Sequence, residues 1–281
     1  MRLFIIFYMI LFSISMSAEI IKPKLSDYKK NIYSQFGEDG IIEKIFEIIG
    51  TTSKVVIEFG AADGFSCSNT ANLWTKNNGW KGILIEADVN LFNKVVANVA
   101  AYNCIKLNKK VGIHLTDSLE EILKQENIND PIDLLSIDID GNDYYIFQSL
   151  KQLRPRIIIC EYNVSIPAYL DVYPDYNNHI GCSVAALQRI AKEKNYTLVS
   201  ITEGNCIFIV NEELPKFSVY DIHPEHMHIN KYVSYIINDY KSDYKVINSK
   251  NHIDAWGWSG RQSMQNLNGD LKNIDAQINK K

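Results

Sequence analysis

Apolar positions recur along most of the chain in two alternating rhythms. Short β-branched runs, such as residues 55–59 and 132–137, are followed by segments in which apolar residues return at helical spacing, such as 41–49 and 183–194. The runs predict strands, and the segments predict amphipathic helices. Because the two alternate, the chain is predicted to form a parallel sheet covered by helices on both faces.

The last two predicted strands are separated only by residues 203–205, so they are predicted to form a hairpin at one edge of the sheet. The fold class is therefore an α/β three-layer sandwich around a mostly parallel seven-stranded sheet with an antiparallel closing edge strand. The predicted strands are 55–59, 82–86, 103–107, 132–137, 156–161, 197–201 and 206–210, and the predicted helices are 41–49, 69–76, 90–100, 119–123, 144–150 and 183–194.

This alternation of strand and helix patterns is confined to residues 32–211, which we predict to be one domain. Before it, Arg2 is followed by an apolar stretch and then by small residues, which is typical of a secretory signal peptide or a short membrane anchor over residues 1–18. If this leader is used, we expect the protein in the secretory pathway, the periplasm or a membrane. If it is not used, we expect a cytoplasmic protein. After the domain the rhythm stops, and residues 212–281 are predicted to be a C-terminal extension that packs on the core.

Composition narrows the classes of partner. The chain of 281 residues has a net charge of -4 and no run of Lys or Arg, so it lacks the electrostatic footprint of a nucleic-acid-binding protein. The five cysteines lie far apart without a C-x-x-C, which predicts buried thiols rather than a disulfide framework. Free thiols fit an oxidising compartment poorly, so the cysteines and the leader point in different directions.

The loop after the first predicted strand is the strongest chemical signal. Glu58 ends the strand, and Gly60 and Gly64 let the backbone approach a ligand closely. A pyrophosphate-binding loop would carry G-x-G-x-x-G, whereas here Glu58 and Asp63 would repel an anion. The loop therefore favours a cationic or polyhydroxylated ligand, and S-adenosylmethionine carries both an ammonium and a sulfonium. The alternative is an ordinary strand-to-helix turn.

Acids also end three later strands. Glu86 ends the second, where folds of this kind place an acid that accepts hydrogen bonds from ribose hydroxyls; the alternative is a surface acid. Asp138 and Asp140 follow the fourth strand on the same side of the chain. They would orient a substrate, bind a divalent cation or act as a base, unless they only cap a helix or form a turn. Glu161 at the end of the fifth strand is a similar candidate.

No metal-ligand set is assigned from the sequence. His223, His226 and His228 lie within one short segment, but no acid or thiol at a suitable spacing completes a site. A packed or solvated histidine cluster is therefore the favoured interpretation.

Several blocks of the chain, in order, resemble the FkbM family of methyltransferases, and the likeness spans residues 34–210. This resemblance implies a Rossmann-like class I methyltransferase fold and methyl transfer from S-adenosyl-L-methionine, commonly to a hydroxyl oxygen. The blocks are residues 34–40, 57–64 with 68–70, 79–87, 136–143 and 159–163.

The resemblance also implies roles for single residues. Ala62 stands where many class I enzymes have a glycine, and it is small enough to admit the ligand. Apart from the resemblance, the position of Asp138 and Asp140 after the fourth strand predicts that one or the other orients or deprotonates the acceptor, with Asp138 also beside the cofactor. The residues expected at the cofactor are Glu58, Gly60, Ala62, Asp63 and Gly64 at the methionine end and Glu86 at the ribose.

We therefore expect an O-methyltransferase that acts on a glycan or a hydroxylated small molecule. The alternative is a catalytically inactive methyltransferase-like binding domain, exported or tethered to a membrane. A nicotinamide-dependent enzyme is disfavoured, because no G-x-G-x-x-G follows the first predicted strand.

Overall fold

The computed structural model describes residues 21–227, 229, 232–238 and 244–248. The predicted leader at residues 1–18, His228 and the chain after residue 248 lie outside the described residues. None of the helices in the described part of the chain is long and apolar enough to cross a membrane.

All seven predicted strands lie in one sheet, in the order β3-β2-β1-β4-β5-β7-β6. The strands β1 to β5 pair in parallel, and β7 is antiparallel to both of its neighbours. The predicted mostly parallel α/β sandwich is confirmed, with the antiparallel strand placed between β5 and the edge strand β6. The strands are β1 Val55–Phe59, β2 Lys81–Glu86, β3 Cys104–Asn108, β4 Leu134–Ile137, β5 Ile157–Glu161, β6 Tyr196–Ile201 and β7 Asn205–Val210.

The six predicted helices also form, and three of them begin with a side-chain cap, from Asp88, Ser118 and Ser183. Ser118 caps α4 by accepting from the amide of Glu121 at 3.3 Å. The second helix is shorter than predicted, because residues 68–70 form a turn around Glu58 instead of a helical turn. The helices are α1 Glu38–Ile49, α2 Ala71–Trp74, α3 Val89–Asn98, α4 Leu119–Gln125, α5 Asp143–Ser149 and α6 Val184–Glu193.

Two apolar cores lie on opposite faces of the sheet. Alternate strand residues point to opposite faces, so Ile57 enters one core while Val56 enters the other. Helices α4, α5 and α6 cover the first face, and α1, α2 and α3 cover the second. Because both faces are covered, the strands are apolar along most of their length, and polar groups that could serve chemistry are left to the strand ends.

The described part of the predicted C-terminal extension packs against the domain. A 3₁₀ helix at Asn211–Phe217 buries Phe217 in the same core as α1. The amide of Asp221 then donates to the carbonyl of Pro23 at 2.9 Å, so the segment lies against the residues that precede the domain. Beyond it, β8 at Ser234–Asn238 and β9 at Tyr244–Asn248 form a separate antiparallel pair. The division of the chain at residue 212 stays a prediction.

Candidate cofactor and acceptor site

A cavity of about 830 Å³ opens at the carboxyl ends of β1, β2, β4 and β5. This size is typical of a site for a small molecule, and this edge of an open α/β sheet is where ligands usually bind. Asp63 and Gly64 lie outside the cavity wall. The predicted site residues that line it are Glu58, Gly60, Ala62, Glu86, Asp138 and Asp140.

A second cavity, of about 420 Å³, lies beside β6. Lys24, Lys29 and Glu203 are among its lining residues, and none of the predicted site residues reaches it. We therefore place the candidate site at the larger cavity.

The carboxylate of Glu58 is used to build the turn after β1. It accepts hydrogen bonds from the Ser68 hydroxyl at 2.5 Å, the Asn69 amide at 2.7 Å and the Thr70 hydroxyl at 2.7 Å. Burial raises the pKa of Glu58, although these three bonds oppose the rise. Glu58 therefore holds residues 68–70 against the cavity wall, and its predicted contact with a cofactor stays a prediction.

The two glycines of the loop are required by the protein itself. Gly60 has a φ of 78°, and a Cβ on it would stand 1.7 Å from the carbonyl oxygen of Asp138. Gly64 has a φ of 92°, and a Cβ on it would stand 2.8 Å from a methyl of Val99. Gly60 thus lets the loops after β1 and β4 touch, and Gly64 lets α3 pack closely.

The two residues between these glycines shape the turn. Ala62 takes a left-handed φ of 49°, a conformation that glycine adopts with less strain. The carboxylate of Asp63 accepts from the amides of Phe65 at 2.9 Å and Ser66 at 2.7 Å, so it is bound within its own turn. These contacts account for the loop sequence, and the predicted roles of Ala62 and Asp63 toward a cofactor are left as predictions.

Glu86 faces the cavity from the end of β2. Its side chain is buried and accepts from the amides of Ala62 and Asp88, both at 2.8 Å. A carboxylate offers about four lone-pair positions, so two remain for hydroxyl donors from a ligand. Lys109 and Lys110 follow β3 and line the same cavity. Glu86 therefore links the loop after β1 to the cavity wall, and its predicted contact with a ribose stays a prediction.

The turn after β4 is held by Asp143, which the sequence analysis missed. Asp140 has a left-handed φ of 54°, and the buried carboxylate of Asp143 accepts from the amides of Ile139 and Gly141, both at 2.8 Å. Burial raises the pKa of Asp143 to about 6, against the effect of these two bonds. The sequence does carry one signal for this role. Asp143 is an acid in the first turn of the helix that follows Asp140 and Gly141, where a carboxylate can accept hydrogen bonds from backbone amides that lack a partner in the helix.

Three carboxylates converge on the cavity. Oxygens of Asp138, Asp140 and Glu161 all lie within 4.8 Å of one another, so the predicted pair is joined by the acid at the end of β5. Burial, and then the charge of Asp143, raises the pKa of Asp138. Burial and the charge of Asp138 raise the pKa of Glu161 to about 10. Such a cluster holds protons, a divalent cation or another positive group.

The long segment between β5 and α6 lies across this cluster. Asn142 and Asn177 exchange two hydrogen bonds, of 2.8 Å and 3.1 Å. His179 places Nδ1 2.9 Å from the carbonyl oxygen of Asp140 and lines the cavity. Asn142, Asn177 and His179 were not predicted, because a segment without periodicity gives no indication of where its side chains return to the fold.

The block at residues 34–40 contributes mainly to structure. One oxygen of Asp39 accepts from the amides of Ile32, Tyr33 and Ser34 at 2.7–2.8 Å. Glu38 accepts from the side chain of Asn205 at 3.0 Å, which ties α1 to the β6–β7 hairpin. The block thus fixes the segment that brings Gln35 to the cavity.

The predicted histidine cluster has partners of its own in the described part of the chain. Nδ1 of His226 lies 2.8 Å from Asp221, and Nδ1 of His223 lies 3.6 Å from Glu225. Among the described residues, Asp138, Asp140 and Glu161 form the one group whose donors lie close enough together for a metal ion.

No protein-family model matches this sequence, and no curated protein matches it. Solved structures with a similar fold include methyltransferase domains. The C-methyltransferase domain of citrinin polyketide synthase is 11% identical over 62% of this chain and 51% of its own, with a TM-score of 0.41. The CurJ carbon methyltransferase is 11% identical over 66% of this chain and 56% of its own, with a TM-score of 0.44. The chain thus spans about half the length of these two.

An S-adenosylmethionine-dependent methyltransferase from Clostridium acetobutylicum is also 11% identical, over 64% of this chain and 93% of its own, with a TM-score of 0.41. The sheet is of the class I methyltransferase type. This assignment rests on the order and direction of the strands. The structural similarities, at TM-scores of this size, do not indicate an activity.

Proposed function

We propose that the protein is an S-adenosyl-L-methionine-dependent O-methyltransferase of the FkbM type. Glu86 carries the proposal: its carboxylate lines the cavity at the end of β2, is fixed by the amide of Ala62 at 2.8 Å, and would accept hydrogen bonds from the ribose hydroxyls there. The carboxylates of Asp138, Asp140 and Glu161 form another part of the same cavity wall. A ligand with hydroxyls at one end and positive charge at the other fits this distribution of acids.

When bound, S-adenosylmethionine supplies a methyl group on a positively charged sulfur. The protein's part is to align an acceptor oxygen with that methyl, which is where most of the rate would come from. We propose that Asp138 and Asp140, at the turn fixed by Asp143, orient the acceptor hydroxyl.

A hydroxylated acceptor, either a glycan or a small molecule, suits the outer wall of the site. Asn142, Asn177 and His179 offer hydrogen-bonding groups there. Tyr169 and Tyr173, on the same segment as Asn177 and His179, are 62% and 47% exposed, and exposed aromatic rings can pack against the apolar faces of sugars.

The alternative is a binding domain of the same fold without activity. Export or membrane attachment through residues 1–18 would favour it, since an exported enzyme lacks an evident supply of the cofactor. The amino-terminal mass of the protein recovered from soluble and membrane fractions tests whether this leader is cleaved, kept as an anchor or unused.

Calorimetric titration of S-adenosyl-L-methionine into the full chain tests the cofactor. We expect binding that Glu86→Ala weakens by at least ~1 kcal/mol, the scale of a lost hydrogen bond to a charged group. Glu120→Ala is the matched control, because Glu120 also binds backbone amides, of residues 151–153, but lies outside the cavity wall. A folded wild-type protein that does not bind the cofactor rejects the enzyme and leaves the binding domain.

A further inference from the structure

The imidazole of His179 has a fixed tautomer. Its Nδ1 lies 2.9 Å from the backbone carbonyl oxygen of Asp140, and a carbonyl oxygen only accepts. Nδ1 must therefore carry the hydrogen. In the neutral ring this leaves a lone pair on Nε2, and His179 lines the cavity.

The segment that carries His179 is held to the fold on both sides of this residue. Gly141 lies directly beneath it, since a Cβ there would stand 3.2 Å from Cα and 3.3 Å from Nδ1 of His179. On one side, the paired amides of Asn142 and Asn177 fasten the segment to the start of α5. On the other, Asn163 donates to the carbonyl of Ile180 at 2.6 Å, which fastens it to the end of β5.

Two of the three converging carboxylates, Glu161 and Asp138, are poorly suited to accept a proton at neutral pH. Burial and the charges of its neighbours raise the pKa of Glu161 to about 10, and the same causes raise the pKa of Asp138. Asp143 is occupied by the amides of Ile139 and Gly141. A protonated carboxyl cannot act as a base, whereas a neutral imidazole with a free Nε2 can.

We propose that His179 is the general base of the methyl transfer and takes the proton of the acceptor hydroxyl on Nε2. This inference rests on the proposed function. As the acceptor oxygen bonds to the methyl carbon, the bond from that carbon to sulfur breaks and its electron pair stays on sulfur. The hydroxyl proton passes to Nε2, so the positive charge lost from sulfur appears on the imidazolium, whose hydrogen bond from Nδ1 to the carbonyl of Asp140 then becomes stronger.

The tautomer can be tested without knowing the acceptor. In the full chain labelled with ¹⁵N-histidine, two-bond proton–nitrogen correlations distinguish a hydrogen on Nδ1 from one on Nε2, and the signals missing from His179→Gln identify this ring. We expect the hydrogen on Nδ1, with and without S-adenosylhomocysteine. A hydrogen on Nε2 in the neutral ring overturns the proposal.

The rate test uses two probes, methyl β-D-galactopyranoside and 4-nitrophenol. The alkyl hydroxyl needs a base, whereas 4-nitrophenol ionises without help in mildly alkaline buffer. We expect His179→Gln to slow methylation of the glycoside by roughly 10²–10⁴-fold, with a much smaller effect on 4-nitrophenol. Equal losses of methylation rate on both probes, or no loss on either, overturn the proposal. If the wild type methylates neither probe, the NMR measurement of the tautomer is the deciding test.

His114→Gln is the matched control. His114 contacts Tyr176 of the same segment but lies outside the cavity wall, so this variant is expected to match the wild type with both probes. Calorimetry on all three proteins separates the two proposals. A wild type that does not bind S-adenosylmethionine defeats the proposed function, whereas normal cofactor binding with the wrong tautomer defeats only the role of His179.

Discussion

The α-carbon of Gly60 lies against the backbone carbonyl of Asp138, at a distance that leaves no room for a side chain. A Cβ at Gly60 would stand 1.7 Å from that oxygen. The contact joins the loop after β1 to the loop after β4, and both loops line the cavity. The glycine that suggested a ligand-binding loop is thus first a requirement of two protein loops packing together.

Gly60→Ala is expected to destabilise the protein by more than ~4 kcal/mol or to prevent folding, because backbone on both sides must move. Gly79→Ala is the control: Gly79 has a similar φ of 90°, but its nearest neighbour is the flexible end of Lys54 at 3.7 Å. That change should cost only the roughly 1–2 kcal/mol of a left-handed alanine. Urea unfolding measures both, and equal losses would contradict the packing role of Gly60.

Asp143→Asn replaces one oxygen that accepts an amide hydrogen by a group that donates. We expect a loss of about 1–3 kcal/mol in unfolding free energy, because a buried amide of Ile139 or Gly141 loses its partner. The turn that carries Asp140 should then loosen, so methyl transfer should fall while affinity for S-adenosylmethionine changes little. Calorimetry and denaturant unfolding are the measurements, and loss of cofactor affinity in a stable variant would argue against this division of roles.

Glu161 gives a stability that depends on pH. Burial and the charges of Asp138, Asp143 and Asp140 raise its pKa from 4.5 to about 10 in the folded protein. The folded state therefore binds the proton more tightly than the unfolded state. Its contribution to stability is complete below pH 4.5 and is lost as pH rises toward about 10.

Glu161→Gln keeps the neutral form at every pH. We expect its melting temperature, relative to the wild type, to be higher at pH ~8.5 than at pH ~5.5, by roughly 8–16 °C for a pKa of about 10. The chelator EDTA should be present, so that no cation neutralises the cluster. Glu47→Gln, with a side chain 70% exposed, is the control and should show no such trend. A difference that does not change with pH would mean that Glu161 is ionised throughout.

Asp133 lies directly before β4, at the amino ends of the parallel strands, and binds groups from several segments there. Its carboxylate has no exposed surface and accepts from Thr52, from the amide of Lys54 at 2.8 Å and from Arg156 at 3.0 Å. Burial opposes its ionisation, but these bonds outweigh burial and lower its pKa. Asp133→Ala is therefore expected to cost about 3–5 kcal/mol, because it leaves a half-buried guanidinium and two amides without their acceptor.

The exposed pair of Lys81 and Asp130, at 3.0 Å, provides the comparison. Asp130→Ala should cost no more than about 1 kcal/mol. Because the pKa of Asp133 is lowered in the folded protein, its contribution is present above its ordinary pKa and is lost as pH falls through the folded value. The difference in unfolding free energy between the two variants should therefore become smaller as the pH is lowered. A difference that stays constant would contradict the ionised state of Asp133.

The sequence by itself determined the fold. Each of the seven strands lies within two residues of its predicted position, since a buried strand and an amphipathic helix are written in local periodicity. It also placed Glu86, Asp138 and Glu161 at the ends of strands. Parallel strands bring those ends to one edge, so their proximity follows from fold class.

Only the tertiary structure decided what each polar group faces. Glu58 and Asp63 are bound within their own turns, Asp143 holds the turn after β4, and His179 returns from an irregular segment to meet the carbonyl of Asp140. These relationships depend on side-chain hydrogen bonds and on contacts between residues far apart in the chain. Side-chain hydrogen bonds and long-range contacts of this kind produce no periodic pattern in the sequence. A hydrogen bond depends on the positions of its two atoms and not on the pattern of residues around either one.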